Sequence, residues 1–392
     1  MANSIAAFLT TLCGLFALVF LRPASAAYVI TSYGAKPDGV SDSSGAFLKA
    51  WNAACNSAGP STVYVPVGRF LLLPVEFSGP CRSRSITVRI DGTLVASGDY
   101  WRHSVAGHWL LFDSVEGVTI EGGTLDGRGS ALWACKAAAG NCPDGATSLY
   151  FNNAKDVAVK GLASINSELF HIVFLGCVGV NVERVAISAA GDSPNTDGIH
   201  VERSSRVSIT NTRIQTGDDC ISIGPGAQNL WIEQVSCGPG HGISIGSLGK
   251  DATEDGVQNI TVKNTVFRGS QNGLRIKTWA RKSTGFVRGV VFQTATMQNV
   301  INPIIIDQNY CPHYKNCPNQ HSGVRISGVT YSNIKGSSAT PVAVKFACSP
   351  AAPCKAIRLA DVKLMYQQQP TKSSCQNVVG TASGLVVPPS CF

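Results

Sequence analysis

A short motif that recurs at a fixed step places the strongest constraint on the fold of this chain. Three segments, NTDGIHV, GDDCISIG and GHGISIG, align on Asp197, Asp219 and His241, with a step of 22 residues each time. A fourth copy, NGLRIK, begins at Asn272 after a longer step of 31 residues. A fixed period in this range is typical of folds in which each repeat stacks on the last. If the strands are parallel and in register, these four residues form one column spaced by about 4.8 Å, with Asp218 beside it.

A second series of short apolar strands accompanies the first, so each repeat holds at least two strands. The triplets of this series begin at Val157, Val180, Val207, Leu230, Ile260, Val324 and Ile357. Strands this short, with few helical patterns between them, indicate a parallel β-helix. A β-propeller would need a period of about 40 residues, and a doubly wound α/β fold would need helices between the strands. We therefore expect an all-β chain with a single domain over residues 27–392.

One helix is predicted in the mature chain, near its N-terminus. Its apolar face is formed by Phe47, Ala50, Trp51 and Ala54, at the i, i+3, i+4 and i+7 positions of a helix. Asp42 or Ser43 is the candidate N-cap. Because a stack of repeats must hide its open end, we interpret this element as an N-terminal capping helix. The segment from about Cys348 onward is expected to cap the other end.

Residues 1–26 have the pattern of a secretory signal peptide. Residues 5–21 are almost continuously apolar, and the small residues of an Ala-Ser-Ala-Ala tail follow Arg22 and Pro23. Such a tail resembles a signal-peptidase site. A membrane anchor is the alternative, but the apolar run is short for a span. The pattern predicts a secreted, extracellular protein that has no contact with a membrane after cleavage.

The cysteine content suits an oxidising compartment. Thirteen of the 14 cysteines follow the leader, and in a secreted chain they are expected to form disulfides. Three local pairs, Cys135–Cys142, Cys311–Cys317 and Cys348–Cys354, stand out, and Cys55–Cys81, Cys220–Cys237 and Cys375–Cys391 would complete six. Spacing alone does not fix this connectivity. Cys177 is then left over as a buried free thiol in an apolar strand, and Asn259 begins the one clear N-glycosylation sequon.

The charge balance indicates a polyanionic partner. The net charge is +8, although charged residues make up only 14% of the chain. A basic surface attracts either nucleic acid or an acidic polysaccharide. The sequence has no run of lysines or arginines and no nucleic-acid-binding module. We therefore expect no nucleic acid partner and favour an acidic polysaccharide.

Three carboxylates stand at the centre of the repeated motif. Asp197 shares the nominal alternation of Ile199, which is expected to face the core, but it lies at the start of the strand, so alternation does not decide its direction. An Asp-Gly pair alone would indicate only a turn. Like charges held this close raise each other's pKa. A protonated carboxyl beside an ionised one is the equipment of glycoside hydrolysis.

Two cations and one aromatic residue follow in the next repeats. Arg275 and Lys277 alternate with apolar residues and so point the same way, away from the core. On that side they would partly offset the negative charge of the three carboxylates and bind an anionic sugar. The alternative is that they are simply two solvated surface charges. Tyr310 ends an apolar strand one repeat later. It would reach the same face or pack against its neighbour Cys311.

At these positions the resemblance to a known family is specific. The segments NTDG (195–198), GDDC (217–220), GHG (240–242) and RIK (275–277) resemble, in order and spacing, the four signature segments of polygalacturonases, glycoside hydrolase family 28. The resemblance extends over essentially the whole mature chain and includes the opening GAKPDG and the VPVG segment at 65–68. It implies a right-handed parallel β-helix that hydrolyses pectin with inversion of configuration and needs no metal or other cofactor. We also expect a monomer.

The resemblance also implies a role for each residue of the site. Asp218 would protonate the glycosidic oxygen, and Asp197 and Asp219 would position and deprotonate the attacking water. His241 would tune the proton of the acid and contact the substrate. The residues implied to bind the polygalacturonate substrate are Asn195, Arg275, Lys277 and Tyr310.

Within the family, the chain most resembles plant enzymes of the pollen exo-acting type, some of which are allergens. This resemblance rests on the segments SPNTDGIH, TGDDCISIGPG and PIIIDQNYCP. We expect an exo-acting galacturonan hydrolase of the cell wall. The alternatives are an endo-acting enzyme, a rhamnogalacturonan hydrolase, a calcium-dependent lyase and a pectin-binding wall protein without activity.

Overall fold

The computed structural model describes residues 26–312 and 317–392, in which nearly all strands run parallel in two long sheets. The smaller sheet keeps strict chain order, with each strand paired to the one a coil before and the one a coil after. Its strands are β5 Val75–Ser78, β8 His108–Asp113, β11 Thr147–Asn152, β14 Ile172–Leu175, β17 Ile199–Glu202, β19 Ile221–Ile223, β21 Ile243–Leu248, β23 Asn272–Trp279, β25 Asn302–Tyr310, β27 Val342–Ala347 and β30 Lys372–Gln376. The predicted parallel β-helix is confirmed.

The larger sheet supplies the other walls of each coil. Its strands are β1 Ala26–Val29, β2 Asp38–Asp42, β3 Ser61–Val65, β4 Arg69–Leu72, β6 Ile86–Ile90, β7 Thr93–Ala96, β9 Val118–Glu121, β10 Thr124–Asp126, β12 Lys155–Lys160, β13 Ala163–Ile165, β15 Val178–Glu183, β16 Ala186–Ser188, β18 Ser205–Gln215, β20 Gln228–Cys237, β22 Val257–Arg268, β24 Phe286–Val300, β26 Arg325–Ser338, β28 Cys354–Tyr366, β29 Gln369–Pro370 and β31 Val378–Val387. From β18 onward the long strands bend at a left-handed residue such as Asn211 or Asn264, a conformation that asparagine tolerates. Each long strand therefore turns a corner of the coil.

The core is built from columns of identical or similar side chains, one from each coil. Phe77, Phe112, Phe151 and Phe174 pair in register on consecutive strands of the smaller sheet. Their ring centroids lie 4.7, 5.2 and 5.3 Å apart, and all four side chains are buried. The column continues through Val201, Ile223, Ile245, Ile276, Ile306 and Phe346. This regular stacking fixes the register of the residues that precede each strand.

The capping helix forms where it was predicted. Helix α1, Ser44–Cys55, begins after the N-cap Ser43, and Asp42 Oδ1 accepts a hydrogen bond from the Ser44 amide at 2.9 Å. All four predicted residues of its apolar face are buried. The ring of Trp51 meets Phe77 and Phe112 edge-on at 5.4 and 5.5 Å. The helix thus closes the end of the aromatic column.

The helix content was underestimated. Two further short helices, α2 Tyr100–Ala106 and α3 Ser130–Ala137, lie in the connections that lead into β8 and β11, and a 3-10 turn spans Ile30–Tyr33. Neither α2 nor α3 has an apolar stripe, because one residue alone is buried in each, His103 and Leu132 respectively. The prediction of a single helix was therefore wrong.

One member of the second apolar series was also assigned wrongly. Val324, predicted to begin a triplet of the series, lies before β26. Its place in the column is taken by Val329, which pairs with Val290 on one side and Ile357 on the other. Alternation alone could not separate Val324 from Val329, because both are buried apolar residues and the left-handed Gly328 between them interrupts the alternation.

The predicted disulfides agree with the structure. All six predicted pairs, including the uncertain Cys55–Cys81, Cys220–Cys237 and Cys375–Cys391, form disulfides. Cys177 is a buried free thiol, as predicted, and burial raises its pKa to about 11. Its predicted place in a strand was wrong, because it lies in the short connection between β14 and β15.

The predicted leader falls almost entirely outside the described residues, and Ala26 is the first residue of β1. Among the described residues, no helix has the length and apolar character needed to span a membrane.

Candidate active site

The predicted column forms at one edge of the smaller sheet. Ile199, Ile221, Ile243 and Leu274 pair in register on four consecutive coils. The residues two positions earlier, Asp197, Asp219, His241 and Asn272, therefore follow the same stacking. Backbone hydrogen bonds link these segments, with the Gly198 amide donating to the Asp219 carbonyl at 2.9 Å and the Cys220 amide to the Gly242 carbonyl at 2.8 Å.

Glycines in the motifs allow neighbouring coils to approach closely at this edge. A Cβ on Gly217 would lie 2.0 Å from the Ser193 carbonyl oxygen. Gly242 has a φ of +91°, and a Cβ there would lie 2.3 Å from the Asn272 carbonyl oxygen. Any larger residue at either position would push the coils apart and displace the side chains next to it.

Asp219 is fully buried and held by two cations. Its Oδ1 accepts hydrogen bonds from Arg275 Nη2 at 2.6 Å and Ser244 Oγ at 2.8 Å, and its Oδ2 accepts one from Lys277 Nζ at 2.7 Å. Burial alone would raise the pKa of this carboxyl. The charges of Arg275 and Lys277, together with the hydrogen bonds from Lys277 and Ser244, outweigh burial and lower its pKa to about 2.

Asp197 is also buried, but its electrostatic environment is the opposite of that of Asp219. Burial, followed by the negative charges of Asp218 and Asp219, raises its pKa well above the ordinary value. The charge of Lys277 and a hydrogen bond from Ser222 offset only part of this effect. The carboxyl lines the outer cleft although Ile199, two residues on, faces the core. Its position before the strand frees it from the alternation.

Asp218 and His241 form the exposed part of the site. His241 Nδ1 lies 2.9 Å from Asp218 Oδ1, and the two side chains are 34% and 19% exposed. The backbone fixes this pair, because the His241 amide donates to the Asp218 carbonyl at 2.7 Å. The Asp219 amide also donates to Asp218 Oδ1, at 2.8 Å. The more accessible carboxylate thus has a fixed orientation and a histidine partner.

A cleft of about 240 Å³ opens over these residues. Its lining includes Asp197 and Asp218, together with Asn195, Lys277 and Tyr310. The ammonium of Lys277 lies 5.1 Å from the ring centroid of Tyr310. Five of the predicted site residues therefore stand in the wall of the cleft. Asp219 and His241 are hydrogen-bonded to wall residues, Lys277 and Asp218 respectively, and Arg275 lies behind Asp219, to which it is bonded.

Comparison with known proteins places this chain in a family. Residues 55–384 match the model for glycosyl hydrolases family 28. The chain is 56% identical over the full length of both chains to a polygalacturonase of Prunus persica. It is 44% identical to an exopolygalacturonase of Platanus acerifolia, over 94% of this chain and 98% of that protein. The chain belongs to glycoside hydrolase family 28.

Solved structures share the fold of this family 28 chain. The endo-xylogalacturonan hydrolase of Aspergillus tubingensis matches with a TM-score of 0.81 at 21% identity, over 92% of this chain and all of the other. The polygalacturonase of Erwinia carotovora matches with a TM-score of 0.65 at 26% identity, over 87% and 94% of the two chains. The predicted right-handed parallel β-helix is the fold of this group.

Sequence reasoning missed a second column of side chains in this family 28 site. His200, Ser222, Ser244 and Arg275 pair on four consecutive coils. His200 Nδ1 lies 2.8 Å from Ser222 Oγ, its Nε2 lies 3.3 Å from Glu202 Oε2, and all three residues line the cleft. The signal was present as the middle residue of each Ile-x-Val, Ile-x-Ile or Leu-x-Ile triplet, which alternation turns away from the core.

A metal ion is disfavoured by the charges already in the family 28 cleft. Among the described residues, ligand atoms of Asp218, Asp219 and His241 lie within 4.8 Å of one another and could approach a cation. Both oxygens of Asp219, however, already bind Arg275 and Lys277. A divalent ion would be repelled by the positive charges of Arg275 and Lys277 and would have to displace them from Asp219. The expectation of a metal-free and cofactor-free site stays a prediction.

Proposed function

We propose that this protein is a secreted polygalacturonase that hydrolyses the α-1,4-galacturonosyl bonds of pectin homogalacturonan. The observation that carries the proposal is the triad of carboxyls with three different surroundings at one cleft. Asp218 is accessible and paired with His241, Asp197 is buried with a raised pKa, and Asp219 is buried with a lowered pKa. Glycoside hydrolysis needs one carboxyl that donates a proton to the leaving oxygen and others that act on the attacking water, so carboxyls with different surroundings suit it.

Asp218 is the proposed general acid. It is the most exposed of the three carboxyls, and His241 on one side and the Asp219 amide on the other fix its Oδ1. Protonation of the leaving oxygen requires a donor within hydrogen-bond reach of the substrate. His241 then acts by orienting the Asp218 carboxyl and by contacting the sugar bound above it.

Asp197 and Asp219 share the work on the attacking water. A carboxyl whose pKa is raised is the stronger base once it is ionised, so Asp197 takes the proton from the water. Asp219, with a pKa of about 2, is a poor proton acceptor. It helps to position the water through Lys277, which it binds and which lines the cleft. The product is expected to have the inverted anomeric configuration.

Substrate carboxylates are recognised by the remaining residues of the cleft. Lys277 both binds Asp219 and lines the cleft, so its ammonium can donate to a galacturonate carboxylate. Arg275 lies behind it, bonded to Asp219 and Ser244, and adds positive charge at longer range. Asn195 and Tyr310 complete the wall that faces the sugar.

The position of the two short helices supports exo action. Helices α2 and α3 lie in the connections into β8 and β11, at the sheet edge from which Asp197 projects. In the smaller sheet, β8 lies three strands before β17 and β11 lies two strands before it. We propose that they close this end of the cleft, so that a polymer enters only by its terminus. The 44% identical Platanus relative is itself described as an exopolygalacturonase.

Assays on matched substrates separate this function from its alternatives. The protein should release reducing ends from polygalacturonate and none from the rhamnogalacturonan backbone, without added calcium and without unsaturated products. Residues 28–78 also match a rhamnogalacturonase A/epimerase, pectate lyase-like model, which makes the second polymer the appropriate control. Cleavage of the rhamnogalacturonan backbone alone, or unsaturated ends, would contradict the proposal. Binding without any cleavage would indicate a wall protein without activity.

The same proposal includes export to the cell wall. We propose that residues 1–26 are removed, so N-terminal sequencing of the exported protein should begin at Ala27. Asn259 is exposed on the surface of the coil, which supports its use as a glycosylation site, and a mass shift after glycosidase treatment would test it. The mature protein is proposed to act as a monomer, which its sedimentation would check.

A further inference from the structure

Positive charge is concentrated at the C-terminal end of the β-helix. Residues 257–392 carry 15 lysines and arginines against 2 aspartates and no glutamate, whereas residues 1–256 carry 17 against 22 carboxylates. The two parts thus have formal net charges of +13 and −5. Because coils stack in chain order along the axis, this asymmetry in the sequence becomes an asymmetry in space.

A groove of about 550 Å³ lies within this basic part, on the larger sheet. It crosses the starts of β24 and β26 and the segment that leads into β28. Arg288, Arg325 and Lys355 stand in its wall. Arg288 and Lys355 both pair with Ser327 from either side, so they are two coils apart in one column, and Arg325 lies on the coil between them.

The three cations of this groove have no carboxylate partner. Arg288 Nε donates to the side-chain oxygen of Gln258 at 2.8 Å, and Arg325 Nη2 to the Thr284 carbonyl at 3.4 Å. These acceptors are neutral. The ion pairs found among the described residues involve neither these two arginines nor Lys355, and all three side chains are exposed. In the catalytic cleft, by contrast, Arg275 and Lys277 are both bound to Asp219.

The groove is distinct from the catalytic cleft but connected to it by neighbouring residues. The two share no lining residue. Tyr310, in the wall of the cleft, faces Trp279 at 5.5 Å, and Arg281 lies 5.5 Å from the Trp279 ring. The Arg281 carbonyl accepts a hydrogen bond from Gly323, in the wall of the groove, at 2.8 Å. A basic, partly aromatic surface thus runs from one to the other.

We propose that this groove is a second binding site for a polyuronate chain, separate from the site of cleavage. A polyuronate carries one carboxylate on each sugar ring, which suits cations placed on successive coils, and unpaired arginines recognise carboxylates well. The Arg288 guanidinium lies 4.8 Å from the Phe286 ring centroid, so the exposed Pro353 is the apolar wall that can cover the C–H faces of the sugars. Holding the polymer here raises its local concentration at the cleft. The choice of a pectic polyuronate rests on the proposed function.

Two double variants test the groove on the same pair of strands. Arg325→Gln/Lys355→Gln removes two groove cations. Lys335→Gln/Lys363→Gln is the matched control, because these exposed lysines also lie on β26 and β28 and pair with each other outside the groove. Both variants change the net charge equally. Binding of each to immobilised polygalacturonate is measured in the inactive Asp218→Asn background, and KM is measured in the active enzyme on polymer and on trigalacturonate.

The groove variant should bind polygalacturonate about five-fold more weakly at low salt, the combined effect of two exposed ion pairs, and its KM should rise for the polymer more than for the trimer. The control should match the parent, and fully methyl-esterified pectin should bind both equally. Equal losses in the two variants would mean general charge attraction and would overturn the proposal, as would an unchanged groove variant. Failure of the active parent to cleave polygalacturonate would instead refute the proposed function, since binding is measured without cleavage.

Discussion

Lys277 Nζ lies 2.7 Å from Asp219 Oδ2, in an ion pair whose carboxylate is fully buried and whose lysine side chain is 9% exposed. Arg275 holds the other oxygen of the same carboxylate. The site therefore contains one carboxyl, that of Asp219, which stays ionised well above pH 2. Its neighbour Asp197, without such partners, has a raised pKa. Two aspartates of the same motif thus acquire different chemistry from their surroundings.

Replacing Lys277 should affect both stability and substrate binding. Lys277→Met is expected to lower the free energy of unfolding by about 2 kcal/mol, less than for a fully stranded buried charge, because Arg275 still binds Asp219. It should also raise KM for polygalacturonate, since the ammonium faces the cleft. Lys277→Arg keeps the charge and is the matched control. Calorimetry and initial rates check both effects, and an unchanged KM in Lys277→Met would count against its contact with substrate.

The two buried aspartates should give opposite pH dependences of stability. The pKa of Asp219 in the folded protein is about 2, below its ordinary 3.8. Its contribution is therefore present above about pH 4 and is lost as the pH falls toward 2. The pKa of Asp197 is raised above 3.8, so this group costs stability as the pH rises above about 4.

Melting temperatures of Asp197→Asn and Asp219→Asn, each compared with the parent from pH 2.5 to 7, check this prediction. Asp197→Asn should gain on the parent as the pH rises. Asp219→Asn should lose most at neutral pH and approach the parent in acid. Parallel curves for the two variants would show that the surroundings of the two carboxyls do not differ in this way.

Asp218→Asn should abolish the release of reducing ends while leaving the fold intact. The side chain is partly exposed and makes no buried ion pair, so its neutral isostere should keep the melting temperature within about 2 °C of the parent. His241→Ala should reduce kcat less severely, by about 100-fold, because it removes only the partner of the acid. Turnover near the parent level in Asp218→Asn would eliminate this residue as the proton donor.

The stereochemistry of the product is predicted to be inverted, and the structure alone would not have led to this expectation. Inverting enzymes usually hold the acid and the base about 6.5 to 9.5 Å apart. Ligand atoms of Asp218 and Asp219 lie within 4.8 Å of each other, so the carboxyls of this site are closer together than such a pair, and the base is proposed to be Asp197. Proton NMR during the first minutes of hydrolysis distinguishes the anomers before mutarotation. The β-anomer of the new reducing end is expected, and the α-anomer would show that one of these carboxyls acts as a nucleophile.

The sequence contained most of the fold and much of the site. The 22-residue step predicted the column of Asp197, Asp219 and His241, because the register of a parallel stack follows directly from its period. It could not predict which way Asp197 points, since that residue precedes its strand. Nor could it predict the pairing of Asp219 with Arg275, 56 residues away, which depends on the positions of side chains across three coils.

The missed elements share a physical cause. Helices α2 and α3 have seven and eight residues and bury one residue each, too few to produce a helical period. The side-chain oxygen of Asp99 accepts a hydrogen bond from the Arg102 amide, so an N-cap was the available signal for α2. His200 stands at the middle position of its triplet, in register with Ser222, where alternation turns a side chain away from the core.

The size of the products released from polygalacturonate over time tests the central claim most directly. An exo-acting hydrolase, with one end of its cleft closed as proposed, should release monomeric galacturonate from the first time point while the viscosity of the polymer falls slowly. A ladder of mixed oligomers with an early collapse of viscosity would contradict exo action. No release of reducing ends at all would contradict the assignment of a polygalacturonase.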